Sequence, residues 1–221
     1  LEDRLVEAER SAAISRIFAR FVPMEFLERL DRRNITDIEL GLGIEKSMTT
    51  LFSDIRSFTL LVEQMTPQES FSFINEYLSY MEPEIHANKG FIDKYIGDAI
   101  MALFDGEDEG ALQAIRASIG MQRALERFNV VRRSRSQRPI AIGIGLHTGR
   151  IMLGTIGGRE RLSASVIGDA VNLASRIEGM TKAYGARLLI TEATAKLLPA
   201  SAGILLRTVD RVRVKGKSEA V

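Results

Sequence analysis

The sequence contains no cysteine and only two histidines, His86 and His147. The missing thiols exclude disulfides and thiolate metal sites and fit a reducing compartment, so we expect a cytoplasmic location. Two histidines are too few for a histidine-rich metal centre, which leaves open a hard-cation site built from carboxylates. The net charge of +1 gives no general argument for nucleic acid as a partner.

Long hydrophobic runs are also missing. No stretch approaches the roughly eighteen apolar residues of a membrane span, and no signal peptide is recognisable, so we expect no membrane segment in this sequence. The 221 residues, 45% of them hydrophobic, suffice for one buried core with a small appendage. Because the sequence begins at Leu1 rather than Met, we expect a fragment of a longer protein, whose membrane tethering stays open.

Two aspartates stand where strand-forming runs end. Asp54 follows the apolar and β-branched run 48–52, which predicts a buried strand with the carboxylate near its exit. Asp98 lies between two further runs, 90–96 and 99–104, with Gly97 supplying the backbone freedom for a hairpin turn. A single Gly-Asp turn is commonly local capping, but two converging aspartates would form a hard-oxygen site for divalent metal and polyphosphate.

Several helices are predicted from periodicity and capping. Residues 1–20 form a weak heptad seam, which fits either an amphipathic helix on its own domain or a short parallel dimer stalk. Thr66, Pro67 and Glu69 form the start signal of a long helix. Its predicted core face comprises Phe71, Ile74, Leu78, Met81 and Ile85. A second long helix over about 109–127 is predicted to bury Leu112, Ile115, Ile119 and Leu125, and the basic tract 132–138 after it predicts a solvated, mobile loop.

The second half alternates strand and helix signals. Strands are predicted over 140–147 and 150–156, with Thr148 and Gly149 as the hairpin turn between them, and further strands at 162–167, 187–190 and 204–214. A helix from Asp169 places Asn172 and Arg176 one turn apart on one face, where the pair could bind an anion or simply face solvent. The order of elements predicts an α+β fold with a ferredoxin-like βαββαβ core, a mostly antiparallel sheet, flanking helices and an N-terminal linker helix.

Five ordered motifs resemble the class III nucleotidyl cyclase catalytic domain over roughly residues 46–217. They are Phe-Ser-Asp-Ile-Arg-Ser-Phe-Thr at 52–59, Lys-Tyr-Ile-Gly-Asp at 94–98, Gly-Leu-His-Thr-Gly at 145–149, Ser-Val-Ile-Gly-Asp-Ala-Val-Asn at 165–172 with Arg176, and Val-Lys-Gly-Lys at 214–217. The resemblance implies N-terminal signalling or linker helices over 1–45, coupled to an upstream sensory domain, and a cyclase catalytic domain over 46–221.

The resemblance also implies roles for the residues that match. Asp54, Asp98 and the carbonyl of Ile55 would hold two divalent ions per site, Mg²⁺ or Mn²⁺. The backbone amides of residues 56–59, including Phe58 and Thr59, would cradle the β and γ phosphates. Further roles fall to Asn172 on the ribose, Arg176 on the α-phosphate, and Lys215 on the triphosphate as a flexible point charge.

Base choice would fall to Lys94 and Ser165. A lysine ammonium beside N1 suits adenine and opposes guanine, so we expect ATP as the substrate and cyclic AMP as the product. A hydroxyl at Ser165 can accept from adenine or donate to guanine, so discrimination there is looser, and a guanylyl cyclase stays an alternative. Gly143 stands where some members carry an arginine for the triphosphate.

In the resembled family the two aspartates and the group Lys94, Ser165, Asn172 and Arg176 come from different subunits. A chain that carries both sets is expected to form a homodimer with two shared sites. A diguanylate cyclase is disfavoured because its Gly-Gly-Asp/Glu-Glu-Phe turn is absent here. A catalytically silent nucleotide-binding or dimerisation module remains the alternative from a different functional class.

Overall fold

The structure is a computed structural model that describes residues 41–158 and 162–214. The predicted N-terminal helices, Lys215 and the basic end of the chain lie outside these residues. The described residues cluster into two units, one formed by 46–151 with 167–214 and the other by 41–45 with 152–158 and 162–166. No described helix has both the length and the apolar character needed to cross a bilayer.

The elements follow the predicted order. They are β1 (Gly43–Ile55), α1 (Phe58–Val62), α2 (Pro67–Ala87), β2 (Phe91–Ile96), β3 (Ala99–Asp105), α3 (Asp108–Ser134), β4 (Ile142–Gly157), β5 (Leu162–Ile167), α4 (Asp169–Ala183), β6 (Leu188–Ile190) and α5 (Glu192–Lys196), with a short 3₁₀ helix at Ala200–Ala202. The strand order is β2-β3-β1-β4-β5, with β6 beside β4. Because β3 lies between β1 and β2 and both pairs are antiparallel, the first four strands have the predicted ferredoxin-like arrangement.

The unit 46–151 with 167–214 contains the main core. Helix α2 begins with the predicted capping box, in which the Thr66 hydroxyl accepts from the Glu69 amide at 3.2 Å and the Glu69 carboxylate accepts from the Thr66 amide at 2.7 Å. The buried face of α2 is formed by Phe73, Tyr77, Met81 and Ile85. Phe71, predicted to be buried, is 69% exposed, because the helix turns Phe73 rather than Phe71 towards the aromatic rings of Phe58 and Phe128.

Helix α3 packs against α2 and is longer than predicted. Its buried face is dominated by small residues, Ala111, Ala114, Ala117, Ser118 and Ala124, which a pattern of large apolar residues does not reveal. Ile115 and Leu125 are buried as predicted, Leu112 is half-buried, and Ile119 is 37% exposed, contrary to prediction.

The start of the basic tract 132–138 departs from the predicted solvated loop, whereas residues 133–138 are exposed and 135–138 lie beyond the helix as predicted. The helix continues to Ser134, and Arg132 is only 3% exposed. Its guanidinium lies 4.9 Å from the ring centroid of Phe73, and its Nε donates to the Arg138 carbonyl at 2.8 Å. Cation–π contact and a hydrogen bond therefore compensate for the burial of this charge, although burial still lowers its pKa.

Strand β4 runs unbroken through the predicted hairpin turn. The Thr148 hydroxyl is buried between the hydroxyls of Thr49 at 2.7 Å and Thr194 at 3.1 Å. A Cβ on Gly149 would lie 3.0 Å from the Cβ of Ala170, so this glycine permits close approach of α4 instead of a turn. The prediction of two strands here was wrong, and so was the strand over 204–214, which has no regular secondary structure in the described part.

The smaller unit is formed by the beginning of β1, the end of β4 and most of β5. Within it the Thr155 amide donates to the Leu42 carbonyl at 2.8 Å, and the Gly41 amide donates to the Thr155 carbonyl at 3.3 Å. A Cβ on Gly43 would lie 3.3 Å from the Leu153 carbonyl oxygen, which shows how closely these backbones approach.

Candidate active site

The two predicted aspartates meet. Asp54 is the penultimate residue of β1, and Asp98 is the second residue of the two-residue turn between β2 and β3. Gly97, the first turn residue, has φ of 64°, the left-handed conformation that a glycine favours. The Ile55 amide donates to Oδ2 of Asp98 at 3.1 Å, which fixes the turn against the end of β1.

The Asp54 carboxylate makes ionisation of the Asp98 carboxyl group less favourable. Burial raises the pKa of Asp98 to about 7, and a hydrogen bond and charge repulsion from Asp54 act in the same direction, against the lowering effect of the Asp98 and Ile55 amides. Asp98 therefore holds a proton near neutral pH more readily than an ordinary aspartate does. A divalent cation would relieve the repulsion, and carboxylates with a backbone carbonyl are the hard-oxygen donors that Mg²⁺ and Mn²⁺ prefer.

The donors at this corner are limited in number. In residues 41–158 and 162–214 no three acidic or histidine side chains are grouped closely enough to hold a metal ion. A metal held here would therefore depend on two carboxylates, on backbone oxygens such as that of Ile55, and on ligands brought by a substrate.

Buried hydroxyls lie next to the carboxyl pair. Those of Tyr77 and Ser53 are neighbours but lie outside hydrogen-bonding geometry, and neither has another partner among the described residues. Burial raises the pKa of Tyr77 above its ordinary value, and the charges of Asp98 and Asp54 add to that rise. Tyr77 therefore stays protonated beside the site.

The segment after Asp54 turns sharply into helix α1. Ser57 has φ of 56°, and Phe58 and Thr59 are the first two residues of the helix. Amides in a first helical turn lack intrahelical partners and can bind an anion. The Arg56 amide cannot do so as predicted, because it donates to the Ala141 carbonyl at 2.8 Å. The Phe58 ring stacks on Phe73 at 6.3 Å between centroids, so only the backbone of Phe58 is suited to a substrate role.

An ion pair that the sequence did not reveal joins this segment to helix α4. Arg56 Nη1 lies 3.6 Å from Oε1 of Glu178, and Nη2 donates to the Thr181 hydroxyl. Burial raises the pKa of Glu178 to about 7 and the charge of Asp54 contributes to the rise, whereas Arg56 and Thr181 oppose it.

Two glycines on β4 make this arrangement possible. A Cβ on Gly143 would lie 2.5 Å from Arg56 Nη2 and from Glu178 Oε1, so the room beside Gly143 is already taken by the Arg56 guanidinium. A Cβ on Gly145 would meet the backbone of α4, including the Glu178 Cα at 2.6 Å and the Ala174 carbonyl oxygen at 2.7 Å. Helix α4 therefore lies directly on the strand backbone.

Helix α4 carries the two predicted site residues as the spacing required. Asn172 is exposed and Arg176 is half-buried, one turn apart. Ala170, Leu173, Ala174, Ile177 and Glu178 form the buried face. Asn172 is therefore directed away from the core of its own chain.

Lys94 lies in β2, next to a shift in the pairing register between β2 and β3. Ile92 pairs with Ala102 and Lys94 with Met101, so Asp93 is an extra residue in the strand, a β-bulge. The Lys94 ammonium lies 3.2 Å from Oδ2 of Asp93, whose side chain is only 2% exposed, and that oxygen has no hydrogen-bond partner among the described residues. Consecutive strand residues normally face opposite sides of a sheet, so the bulge is what allows this ion pair.

The structure thus brings together Asp54, Ile55 and Asp98. No hydrogen bond or ion pair within the described ranges links Lys94, Asn172 or Arg176 to the two aspartates. Ser165 is half-buried in β5, and Lys215 lies outside the described residues.

Comparisons with known proteins agree on one family. The profile described as the adenylate and guanylate cyclase catalytic domain matches residues 44–221. The chain is similar to an adenylate cyclase of Anabaena cylindrica, with 47% identity over 92% of this chain and 41% of the relative. It is also similar to the terminal-differentiation-specific adenylate cyclase of Dictyostelium discoideum, with 40% identity over 96% of this chain and 10% of the relative. The chain therefore spans less than half the length of these relatives.

Solved structures show the same fold. The adenylyl cyclase CyaB from P. aeruginosa superposes with a TM-score of 0.73 and 31% identity, covering 80% of this chain and 92% of that one. A guanylyl cyclase crystal structure gives a TM-score of 0.70 and 30% identity, covering 80% of this chain and 90% of that one. The corner formed by Asp54 and Asp98 and the profile match together show that the chain belongs to the family of adenylate and guanylate cyclase catalytic domains.

Proposed function

We propose that this domain is an adenylyl cyclase that converts ATP to 3′,5′-cyclic AMP and pyrophosphate. The observation that carries the proposal is the convergence of Asp54 and Asp98 at the corner formed by the end of β1 and the β2–β3 turn. The relatives at 47% and 40% identity are both named adenylate cyclases, which supports ATP as the nucleotide.

Asp54, Asp98 and the Ile55 carbonyl would hold two divalent ions, Mg²⁺ or Mn²⁺. These ions would lower the pKa of the ribose 3′-hydroxyl and neutralise the departing pyrophosphate. In the reaction a bond forms between the 3′-oxygen and the α-phosphorus, and the bond from that phosphorus to the pyrophosphate oxygen breaks. The amides of Phe58 and Thr59 would bind the β and γ phosphates at the start of α1.

The remaining roles would belong to residues that the family resemblance assigns to the other subunit. Asn172 would orient the ribose, and Arg176 would stabilise the charge that grows on the α-phosphate, an effect worth about 3 kcal/mol for a donor aimed at the transition state. Lys215 would contribute a further positive charge to the triphosphate. We propose that a second copy of the chain supplies these groups, so that a homodimer contains two shared sites.

Base selection depends on Lys94 and Ser165. The Lys94 ammonium can donate to N1 of adenine but meets the N1–H of guanine, so it favours ATP. Guanylyl cyclase activity is the second candidate, because the Ser165 hydroxyl can serve either base and the adenylyl and guanylyl cyclase structures are equally similar to this chain.

We also propose that the activity of the full protein is controlled by a sensory domain upstream of the linker segment 1–45. The relatives are more than twice as long as the matched region, which leaves room for such domains in them. A stimulus would reach the catalytic residues through the segment that leads into β1.

The test is a product assay of the purified chain with ATP or GTP and with Mg²⁺ or Mn²⁺, in which chromatography separates cyclic from linear nucleotides. We expect equal amounts of cyclic AMP and pyrophosphate from ATP, and at most one tenth of that rate from GTP. Preferential cyclisation of GTP would establish the second candidate. Nucleotide binding without any product, with either metal, would contradict both and favour a silent nucleotide-binding module.

A further inference from the structure

The ion pair of Arg56 and Glu178 connects two parts of the site that serve different functions. Arg56 follows the metal-binding residues Asp54 and Ile55 directly in sequence. Glu178 lies two residues after Arg176 on helix α4. The two side chains are 3.6 Å apart although 122 positions separate them, and Arg56 is further held by the Thr181 hydroxyl and, at 3.5 Å, by the Ala186 carbonyl.

The pair is enclosed, so its geometry is restricted. The Arg56 side chain is 24% exposed and that of Glu178 is 11% exposed. The Glu178 carboxylate is largely removed from water, so loss of the Arg56 guanidinium would leave a buried charge without its partner. The absence of side chains at Gly143 and Gly145 lets the guanidinium and the helix backbone lie against β4, which leaves little room for the pair to rearrange.

Different faces of helix α4 carry Glu178 and the exposed site residue Asn172. Glu178 belongs to the buried face, whereas Asn172 is exposed. A displacement of Glu178 towards or away from Arg56 therefore moves the helix that carries Asn172 and Arg176. Conversely, a movement of the Asp54 segment on loading with metal acts on the same helix through Arg56.

We propose that the Arg56–Glu178 ion pair is a positioning pair that couples the two active sites of the homodimer. The inference rests on the proposed function with shared sites. In each protomer the pair ties the aspartate segment, which serves one site, to helix α4, which serves the other. Occupation of one site is thereby transmitted to the other through contacts within a single chain.

The test uses heterodimers in which only one of the two active sites is intact. Mixing Asp54→Ala with Asn172→Ala chains gives a site whose aspartates come from the Asn172→Ala chain and whose helix α4 comes from the Asp54→Ala chain. Glu178→Asp is then added to one chain at a time. This change keeps the charge near Asp54 and withdraws the carboxylate by one methylene, so it breaks the geometry without altering the local net charge.

In the Asn172→Ala chain, Glu178→Asp should raise the Mn²⁺ concentration for half-maximal activity about fivefold. This is expected even though helix α4 of that chain belongs only to the inactive site of the heterodimer. In the Asp54→Ala chain, the same change should lower kcat about tenfold and leave the Mn²⁺ requirement unchanged. Arg56→Lys in the Asn172→Ala chain should reproduce the first effect, because lysine keeps the charge but lacks the planar fork. Glu126→Gln, which removes an exposed ion pair with Arg187, is the matched control and should change neither value.

An activity-independent measurement keeps the inference separate from the proposed function. Mn²⁺ binding to otherwise unsubstituted homodimers, followed by electron paramagnetic resonance, should weaken about fivefold in Glu178→Asp at unchanged circular dichroism. An effect of Glu178→Asp only from the chain that supplies the live helix, or unchanged Mn²⁺ binding in the homodimer, would overturn the coupling. Inactive wild-type chains with normal Mn²⁺ binding that weakens in Glu178→Asp would instead contradict the proposed function alone.

Discussion

Both burial and repulsion from the Asp54 carboxylate disfavour ionisation of the Asp98 side chain. Its folded pKa of about 7 lies above the ordinary value, so in the metal-free protein the folded state binds a proton that the unfolded state has released. The contribution of Asp98 to the free energy of unfolding therefore decreases as the pH rises from about 4 to about 7, and the loss is complete above that range.

Removal of this carboxylate should stabilise the metal-free domain and abolish its activity. We expect Asp98→Asn to raise the free energy of unfolding at pH 8 in the presence of EDTA by on the order of 1 kcal/mol, a discounted value because Asp98 is only half-buried. At pH 4 the gain should disappear. Urea denaturation at both pH values measures the difference. A loss of stability at pH 8 would show that the two carboxylates do not repel each other in the folded state.

Asp93 is a second residue at which a buried charge supports the proposed chemistry. Its side chain is enclosed by the bulge of β2, and burial raises its pKa while the adjacent Lys94 lowers it. A carboxylate in this position holds the lysine ammonium at 3.2 Å and restricts where it can meet a base.

Asp93→Asn should therefore weaken nucleotide selectivity. We expect the ratio of kcat/KM for ATP to that for GTP to fall at least tenfold, mainly through a higher KM for ATP, since the neutral amide no longer restrains the Lys94 ammonium. Initial rates with both nucleotides measure the ratio. Glu109→Gln, which removes the exposed ion pair with Lys89, is the control. An unchanged ratio in Asp93→Asn would mean that Lys94 does not depend on this partner.

The residue-scale predictions from sequence succeeded where the chemistry is local. Asp54 and Asp98 each follow a strand signal, and a two-residue turn with glycine fixes the second, so their places at strand ends could be predicted locally, whereas their joint site came from the family resemblance. The pair of Arg56 and Glu178 could not, because no local pattern indicates which distant side chain a buried charge will meet. The bulge at Asp93 was missed for a similar reason, since one extra residue in a strand leaves no compositional signal.

At the scale of elements, the most restrictive feature is the packing of α4 on β4. The helix backbone lies against Gly145 so closely that a single methyl group would overlap it. Thr148 and Gly149 lie within β4, although they were predicted to form a turn because threonine and glycine are common in loops. Their actual roles are a buried hydrogen bond and a close approach, both of which depend on partners distant in sequence.

Gly145→Ala should therefore displace α4. We expect a loss of about 2 kcal/mol or more in the free energy of unfolding, as in other overpacked sites, together with at least a tenfold lower kcat because Asn172 and Arg176 move. Gly179→Ala is the matched control, since it lies in α4 with no atom within 4 Å of the added methyl group and should stabilise the helix by up to about 1 kcal/mol. Equal stability of the two variants would show that α4 does not rest on the backbone of β4.

Other elements illustrate what periodicity can and cannot predict. The start of α2 was predicted because its capping box is local, but its buried face was displaced towards Phe73 by aromatic packing. Part of the buried face of α3 escaped prediction because alanines form it, although Ile115 and Leu125 were predicted correctly. The segment 204–214 resembles a strand in composition, yet it lacks a partner strand in the described part of the chain, and its end at Val214 is buried against Leu173 and Ile177 instead.

At the scale of the whole molecule, the chain carries two sets of site residues, and within 41–158 and 162–214 no hydrogen bond or ion pair joins one set to the other. The aspartates are joined at one corner, whereas Asn172 is exposed on a different face of α4 from the buried Glu178. The assignment of the two sets to different subunits comes from the family resemblance and stays a prediction, since neither strand patterns nor composition indicates it. A shared site in a homodimer accounts for both sets in one active centre.

Subunit complementation tests that account most directly. Asp54→Ala and Asn172→Ala chains are assayed for cyclic AMP from ATP, separately and after mixing under conditions that allow subunit exchange. We predict background activity for each alone and about a quarter of the wild-type rate in an equal mixture, because half of the dimers are mixed and each has one live site of two. In a mixture of Asp54→Ala with Asp98→Ala, both chains lack one of the two aspartates, so no active site is complete and no activity should be recovered. Background activity in the first mixture as well would contradict the shared cyclase site.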